Sequence, residues 1–291
     1  MTRPRTFHKS ASRRRKALGQ HFLANLRAAD AIVDAFSPAA GEPVLEVGPG
    51  RGVLTERLLA RGAVVAAIEK DERLAATLRE RLAAHAGFHL HVGDALRADL
   101  GEILRPLLEA AAGRRARVLA NLPYSVASKI LARLFADAAL FSSFTLLLQR
   151  EVVDRICSPP GRREYGSLSV LAQYFARPRL LMHLSPGSFR PVPRVESALV
   201  HLPLREDREL GAEDESAYPR FIRRLFLSRR RTLPHNLKGM LGRDARAIAR
   251  SLDEIGIDAG RRPETLVREE CLRIFLAARR EGGRPASAGA H

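Results

Sequence analysis

The stretch Val44-Leu45-Glu46-Val47-Gly48-Pro49-Gly50-Arg51-Gly52 decides the fold, because an apolar run ends there in three glycines at alternate positions. The helical pattern Val53-Leu54-Thr55-Glu56-Arg57-Leu58-Leu59 follows without a gap. Together they predict a buried strand, a tight turn and a helix. In open α/β sheets such a turn brings bare backbone close to a ligand, so we expect Gly48 and Gly50 to border a binding crevice.

A second apolar strand ends in a carboxylate that suits the same crevice. Ala63-Val64-Val65-Ala66-Ala67-Ile68 leads directly into Glu69. Glu69 lies about twenty residues after the first glycine, where doubly wound folds place an acid that binds ribose hydroxyls. The two strands therefore predict a cofactor that contains a nucleoside.

The spacing of the glycines bears on which cofactor is bound. A dinucleotide fingerprint needs Gly or Ala where Val53 stands, counting from Gly48, so the close helix approach that serves a pyrophosphate is missing. A Gly-x-Gly-x-Gly turn after an acid, here Glu46, resembles the turn of S-adenosylmethionine-dependent methyltransferases. Taken alone, such a turn is also compatible with a purely structural loop.

Strands and helices alternate along the first two thirds of the chain. The third strand, Phe88–Val92, ends at Gly93 and Asp94, and the fourth, Ala116–Ala120, delivers Asn121 to the same edge. The alternation predicts a parallel, Rossmann-like α/β sheet, with Asp94 beside the crevice. From Tyr218 onward the period is helical throughout, which predicts a small C-terminal helical domain.

Composition and charge narrow the class of protein. The net charge is +17, from 49 basic and 32 acidic residues among 291, and such a charge favours a nucleic-acid partner. The alternative is that arginine is simply a common surface residue in this chain. We see no membrane-spanning run and no secretory signal, and we expect a cytoplasmic protein that does not bind membranes. Cys157 and Cys271 lie far apart, and we expect two reduced thiols and no metal site.

The tetrapeptide Asn121-Leu122-Pro123-Tyr124 suits one chemical task, which is holding a planar exocyclic amine beside a methyl donor. The N6 amine of adenine is conjugated with its ring and is a poor nucleophile. The Asn121 Oδ1 atom and the Leu122 carbonyl would accept its two N–H groups. Pro123 would fix the turn while Tyr124 stacks on the base. A strand-closing β-turn is the structural alternative.

A second aromatic candidate lies between prolines. Phe189-Arg190-Pro191-Val192-Pro193 reads as an extended loop that presents Phe189 exposed or half exposed. The pair His89 and His91 shares one strand face, but no third ligand is near, so we interpret both as surface or packing residues.

These motifs together resemble those of the ribosomal RNA adenine N6,N6-dimethyltransferases, most closely the bacterial enzymes that modify two adjacent adenosines near the 3′ end of small-subunit (16S) rRNA. The resemblance covers the chain from about Lys16 to Ala278. The matching stretches are Leu18-Gly19-Gln20-His21-Phe22-Leu23, Glu46 to Gly52, Asn121 to Tyr124, Gln149 to Arg155, Tyr165 to Val170, Phe189 to Ala198, and Arg229-Arg230-Arg231-Thr232.

The resemblance implies roles for individual residues around S-adenosylmethionine. His21 and Leu23 would line the cofactor entrance, while Gly48, with Gly50 beside it, would contact the methionine part. Glu69 would bind the ribose and Asp94 the adenine amine. Two further roles concern the target base: Asn121 would serve both cofactor and N6, and Phe189 would stack opposite Tyr124. The family often has Asn where His21 stands, and an apolar residue where Arg51 stands, which we expect to point to solvent.

Composition, charge and helical period predict how the chain is organised. We expect a basic arm at residues 1–16, a Rossmann-like methyltransferase domain at 17–205, a helical domain that binds RNA or the ribosome at 206–281, and a disordered tail at 282–291. The arginine-rich start also suits an organelle transit peptide. The motif that follows it, with the amphipathic set Ala29, Ile32, Val33 and Phe36, favours an integral part of the fold.

The predicted function is dimethylation of 16S rRNA in the small ribosomal subunit, with a role in subunit biogenesis, by a monomer. Two alternatives stay open. One is a large-subunit (23S) rRNA adenine methyltransferase of the antibiotic-resistance type, which shares the glycine turn and the Asn-x-Pro-Tyr element. The other is a ribosome-assembly factor without catalytic activity on the same scaffold.

Overall fold

The computed structural model describes residues 21–282. The predicted basic arm, residues 18–20 of the first shared motif and residues 283–291 of the predicted tail lie outside this range. Gly282, expected to begin the tail, is the last residue of the final helix.

The described residues form nine strands and eleven α-helices. The strands are β1 Phe22–Leu23, β2 Pro43–Val47, β3 Val64–Glu69, β4 Phe88–Val92, β5 Ala116–Asn121, β6 Phe141–Gln149, β7 Arg179–Leu184, β8 Phe189–Arg190 and β9 Ser197–Pro203. The helices are α1 Leu26–Phe36, α2 Val53–Ala60, α3 Glu72–Arg81, α4 Leu100–Ala110, α5 Ala127–Ala136, α6 Arg150–Cys157, α7 Ser167–Phe175, α8 Ala212–Leu225, α9 Leu233–Leu241, α10 Ala245–Glu254 and α11 Arg268–Gly282.

Packing divides the chain into two compact units, each built from two segments. Within the described residues, the first unit consists of residues 21–153 and Arg179–Leu204, and the second of Asp154–Pro178 and residues 205–282. All the strands of the described residues belong to the first unit.

The first unit is a doubly wound sheet, which confirms the predicted α/β class. Seven strands lie in the order β4-β3-β2-β5-β6-β9-β7. The five strands from β4 to β6 are parallel, while β9 runs antiparallel to β6 and to β7. The carboxyl ends of the parallel strands therefore meet at one edge, as the alternating pattern predicts.

The helix α1 packs as its periodicity predicts. Its buried residues are Ala29, Ile32, Val33 and Phe36. They join one apolar cluster with residues of α2, β2, β3 and the pair β1–β8. The helix begins where the Asn25 side chain accepts the Ala28 N–H, a normal N-cap. Through this cluster, α1 packs with β2 and β3, the strands at whose ends we expect the crevice.

The second unit is helical, and it includes a segment that we assigned from the sequence to the first domain. The predicted domain boundary at 205/206 lies within one residue of the point where the chain returns to this unit. Residues 154–178 pack with it as well, because Tyr165 donates its hydroxyl to the Leu266 carbonyl and the Tyr174 ring packs on Tyr218, 4.8 Å between centroids. Such contacts between distant segments are invisible to local periodicity.

Gly52 is the glycine of the turn whose replacement affects folding most directly. It has a φ of +75°, and a Cβ there would lie 2.5 Å from Leu78 Cδ2 and 2.6 Å from an Arg81 nitrogen. Gly113 has a similar φ of +80° but no neighbour within 4 Å, so it is a matched control for backbone strain alone.

We expect Gly52→Ala to lower the free energy of unfolding by about 3 kcal/mol or more, and Gly113→Ala by about 1 kcal/mol. The difference between the two losses of unfolding free energy measures how closely α3 approaches the turn. Denaturant unfolding of both variants and the wild type checks this. Equal losses in the two variants would mean that α3 does not pack against Gly52.

Candidate active site

Three neighbouring strands deliver the central residues of the site to one edge of the sheet. β2 lies between β3 and β5, with Val47 beside Ile68 and Glu46 beside Leu119. Gly48 therefore follows the middle strand, Glu69 ends one neighbour and Asn121 ends the other. The sequence-based placement of these residues at a shared edge is confirmed.

The glycine turn is held to the end of β3 by two hydrogen bonds. The Gly48 N–H donates to the Ile68 carbonyl at 2.9 Å, and the Gly50 N–H donates to Glu69 Oε2 at 3.0 Å. Gly48 and Gly50 both have positive φ, at +71° and +59°. These angles favour glycine and let the backbone turn tightly above the strand.

A cleft opens beside the turn. Its wall contains three predicted cofactor residues and Asn121, together with several residues that we did not single out. The lining residues are Phe22, Leu23, Glu46, Gly48, Pro49, Gly50, Arg51, Val53, Leu54 and Asn121. The sequence therefore located the cleft but not its full wall.

Glu69 does not line this cleft itself but contacts the turn that does, through Gly50. Its Oε1 accepts the Asp71 N–H at 2.8 Å, while its Oε2 holds Gly50. The side chain is buried, and burial raises the pKa of this carboxyl although the two backbone N–H groups oppose the shift. Each carboxylate oxygen can accept a second hydrogen bond, so the group can still bind a ligand hydroxyl.

Asp94 follows β4 and is held by different partners. Its Oδ2 accepts from Lys70 Nζ at 2.7 Å and its Oδ1 accepts the Leu96 N–H at 3.0 Å. The hydrogen bond from Lys70 lowers the pKa of this carboxyl, and the Leu96 N–H adds to the effect. Asp94 does not line the described cleft, but it is a half-buried acceptor one strand beyond Glu69.

Glu46 is a second buried acid, and it lines the cleft directly. Thr55 donates its hydroxyl to Glu46 Oε2 at 2.7 Å. Burial raises the pKa of the Glu46 carboxyl to about 8, and the nearby Glu69 charge raises it further, while Thr55 opposes the shift. The sequence marked Glu46 only as the acid before the turn, and its place in the cleft wall was not predicted.

Asn121 is oriented by a backbone contact. Its Nδ2 donates to the His21 carbonyl at 3.2 Å. The donor end of the amide therefore faces His21, which leaves Oδ1 to accept a hydrogen bond from a ligand. Leu122 is buried, and its N–H donates to the Leu147 carbonyl at 3.3 Å. Pro123 begins the turn before α5, where its carbonyl accepts the Val126 N–H.

Tyr124 is half buried and held from two sides. Its hydroxyl bonds with Ser197 Oγ at 2.8 Å, and its ring lies 5.4 Å from the His21 ring, tilted by 34°. Burial raises the pKa of the Tyr124 hydroxyl, so this group stays neutral at physiological pH.

The prediction that Phe189 is exposed or half exposed is wrong. Its side chain is 1% exposed and belongs to the core cluster. Phe189 lies in β8 opposite Leu23 of β1, and strand alternation turns it inward and Arg190 outward. The prolines after it do extend the loop, but they expose Val192 instead.

Arg51 is exposed, as expected, and it has an additional contact. Its guanidinium lies over the Phe22 ring at 5.2 Å from the centroid. Phe22 also closes over Gly50, whose Cβ position is 3.1 Å from that ring. Phe22 therefore covers the turn, a role that no signal in the local sequence indicated.

Within residues 21–282 we find no group of three or more His, Cys, Asp and Glu side chains that would hold a metal ion. In the same range no helix is long and apolar enough to cross a membrane. Neither Cys157 nor Cys271 forms a disulfide bond, and burial raises the pKa of Cys271.

The sequence of this chain is similar to a family model and to several named proteins. A family model described as ribosomal RNA adenine dimethylase matches residues 11–279. Proteins named ribosomal RNA small subunit methyltransferase A are 38% identical in Pseudomonas putida, covering 87% of this chain and 91% of the relative, and 38% identical in Geobacter metallireducens, covering 94% and 98%.

Two solved structures share the fold. A dimethyladenosine transferase from Plasmodium falciparum has a TM-score of 0.76 at 23% identity, covering 90% of this chain and 98% of that one. A 23S rRNA methyltransferase, ErmE, has a TM-score of 0.64 at 24% identity, covering 88% and 99%.

The raised pKa of Glu46 predicts a pH dependence of stability. The folded state holds this proton more tightly than the unfolded chain, so the contribution of Glu46 to stability is greatest below about pH 4.5 and is lost as the pH rises through about 8. Glu46→Gln keeps an acceptor for Thr55 but carries no charge.

We therefore expect Glu46→Gln to match the wild type near pH 5 and to exceed it by about 4 kcal/mol at pH 8 and above. Denaturant unfolding of both proteins between pH 5 and 8.5 measures this gap, in which all other titrating groups cancel. Parallel stability curves would show that Glu46 is ionised in the folded protein throughout.

Proposed function

This chain belongs to the ribosomal RNA adenine dimethylase family, and we propose that it transfers methyl groups from S-adenosylmethionine to N6 of two adjacent adenosines near the 3′ end of 16S rRNA. The substrate would be the small ribosomal subunit in the cytoplasm, with the protein acting as a monomer during subunit biogenesis. The names of the relatives support the small subunit. The observation that carries the proposal is the orientation of the Asn121 amide. Asn121 lines the cleft, and its Nδ2 group already donates to the His21 carbonyl, so Oδ1 is the atom that can accept from a ligand.

The residues of the cleft, together with Glu69 and Asp94 at the neighbouring strand ends, fit S-adenosylmethionine. A Cβ on Gly48 would meet nothing within 4 Å, so there is room for a ligand against this backbone. We assign the methionine part to the Gly48 and Gly50 turn, the ribose hydroxyls to Glu69 and the adenine amine to Asp94. When bound, this cofactor supplies a methyl group on a sulfonium sulfur, which leaves as a neutral thioether.

The chain's own contribution is to position the target nitrogen. Asn121 Oδ1 and the Leu122 carbonyl would accept the N–H groups of the adenine amine, which draws its lone pair out of conjugation. The methylated nitrogen is cationic and loses one proton to solvent at each transfer, so no strong base is required before the methyl group moves, and alignment supplies most of the acceleration. Pro123 restrains the turn that presents both acceptors.

Tyr124 is the residue that we assign to stacking on the target base. Its ring is half buried and held at its hydroxyl by Ser197. Phe189 would reach a base only if β8 left the core, so in the described arrangement it supports Leu23 and the cleft wall instead. The base itself must leave its stack or come from a loop to enter such a site.

The helical unit offers a basic face for the RNA. Helix α8 buries Tyr218, Phe221, Ile222 and Leu225 and exposes three arginines, Arg220, Arg223 and Arg224. Arg230 and Arg231 after this helix are exposed as well. We propose that these arginines contact rRNA phosphates, together with the basic arm.

The decisive experiment uses labelled S-adenosylmethionine with small subunits, large subunits and free rRNA, all lacking the modification. We expect label as N6,N6-dimethyladenosine at two adjacent adenosines of the small subunit. Asn121→Ala and Tyr124→Ala should abolish the label while subunit binding and folding stay near normal, and His89→Ala, an exposed residue of β4, serves as the control.

Each other outcome identifies a rival. Label only on large subunits would point to the 23S methyltransferase of the resistance type. Subunit binding without any label in the wild type would point to an assembly factor on this scaffold.

Gly48→Ala separates cofactor binding from folding. The new methyl group would occupy open space beside the cleft, so the unfolding free energy should fall by only about 1 kcal/mol, as for Gly113→Ala. The affinity for S-adenosylmethionine should fall at least about tenfold, which corresponds to about 1.4 kcal/mol. Calorimetric titration checks this, and unchanged affinity would place the cofactor away from Gly48.

A further inference from the structure

The side chain of His21 does not take the position that the family resemblance implies. Phe22 and Leu23, the next two residues, line the cleft. The His21 ring instead packs against Tyr124, with 5.4 Å between centroids. Its Nδ1 lies 2.7 Å from the Pro191 carbonyl oxygen. A carbonyl oxygen can only accept, so Nδ1 carries the proton of this hydrogen bond.

The main chain of His21 makes the third contact. Its carbonyl accepts the Asn121 Nδ2–H at 3.2 Å. His21 therefore contacts the Tyr124 ring, the Asn121 amide and the Pro191 carbonyl in the loop after β8. Pairing of Phe22 with Arg190 and of Leu23 with Phe189 fixes the segment next to it.

We propose that His21 is a positioning residue for the target adenine, acting through Tyr124 and Asn121, and not a side-chain ligand of the cofactor. The inference rests on the proposed function, since it assigns Tyr124 and Asn121 to the base. The His21 ring limits tilting of the Tyr124 ring, whose hydroxyl Ser197 holds at the other end. The His21 carbonyl selects which end of the Asn121 amide is offered to N6.

The second methyl transfer should depend most on this positioning. After the first transfer the nitrogen carries one N–H instead of two, so fewer hydrogen bonds align it. A loosened Tyr124 ring should therefore raise the proportion of monomethylated product. The cofactor contacts at Gly48, Gly50 and Glu69 do not involve the His21 ring, so the affinity for S-adenosylmethionine should not change.

Three substitutions of His21 remove the contacts of its side chain separately. His21→Ala removes the ring and the hydrogen bond to Pro191 but keeps the main-chain carbonyl for Asn121. His21→Phe keeps a ring against Tyr124 and lacks the donor, whereas His21→Gln keeps a donor and lacks the ring. His89→Ala again controls for loss of an exposed histidine in the same unit.

With small subunits lacking the modification as substrate, we expect His21→Ala to lower kcat about tenfold. Its dissociation constant for S-adenosylmethionine, measured by calorimetry without RNA, should stay within about twofold of the wild type. The ratio of monomethyl to dimethyl product should rise, and His21→Phe should restore part of both quantities. Cofactor binding also verifies that each variant is folded, and His21→Phe replaces His21→Ala if the latter is not.

Two results would overturn the inference. If kcat and the product ratio of His21→Ala equal those of His89→Ala, the ring positions nothing. If the cofactor dissociation constant rises about tenfold while kcat at saturation is unchanged, His21 is a cofactor ligand instead. Absence of methylation by the wild type is a separate result, which would reject the proposed function and this inference with it.

Discussion

The hydrogen bond from the Gly50 N–H to the Glu69 carboxylate is the contact on which the rest of the site depends. It links the turn after β2 to the end of β3. A second hydrogen bond, from the Gly48 N–H to the Ile68 carbonyl, joins the same two elements. Ile68 and Glu69 are both buried, and the low local dielectric strengthens both bonds. The turn is therefore rigid before any ligand arrives, which lowers the entropic cost of binding against it.

The short pair β1–β8 converts this edge into a cleft. Phe22 covers Gly50, Leu23 joins the wall and Phe189 anchors the pair in the core. The same segment orients Asn121 through the His21 carbonyl. The proposed cofactor wall and the proposed base pocket thus share one two-stranded support, so a displacement of β1 would affect both.

Local sequence patterns predicted the elements of this site but not the way distant elements close it. Glycine spacing and strand ends predicted Gly48, Glu69 and Asn121 at one edge, because parallel strands align their carboxyl ends by topology alone. The burial of Phe189 and the His21 contact to Pro191, 170 residues away in the chain, depend on the antiparallel pairing of β1 with β8. Two-residue strands carry no period that a sequence pattern could reveal. The same limit applies to residues 154–178, whose helices are locally ordinary but pack in the second unit.

The 49 basic residues fall into two groups that the sequence could not separate. Some arginines are bound into the fold: Arg117 stacks on Phe36 at 4.0 Å and pairs with Glu42, while Arg229 bonds to the Arg163 carbonyl and Glu264. Others, such as Arg230 and Arg231, extend from the surface. Charges held by carboxylates contribute little to a long-range field, because each pair is nearly neutral at a distance. The attraction of this protein for a polyanion therefore depends on how its exposed arginines are distributed, and five of them lie along α8 and the segment after it.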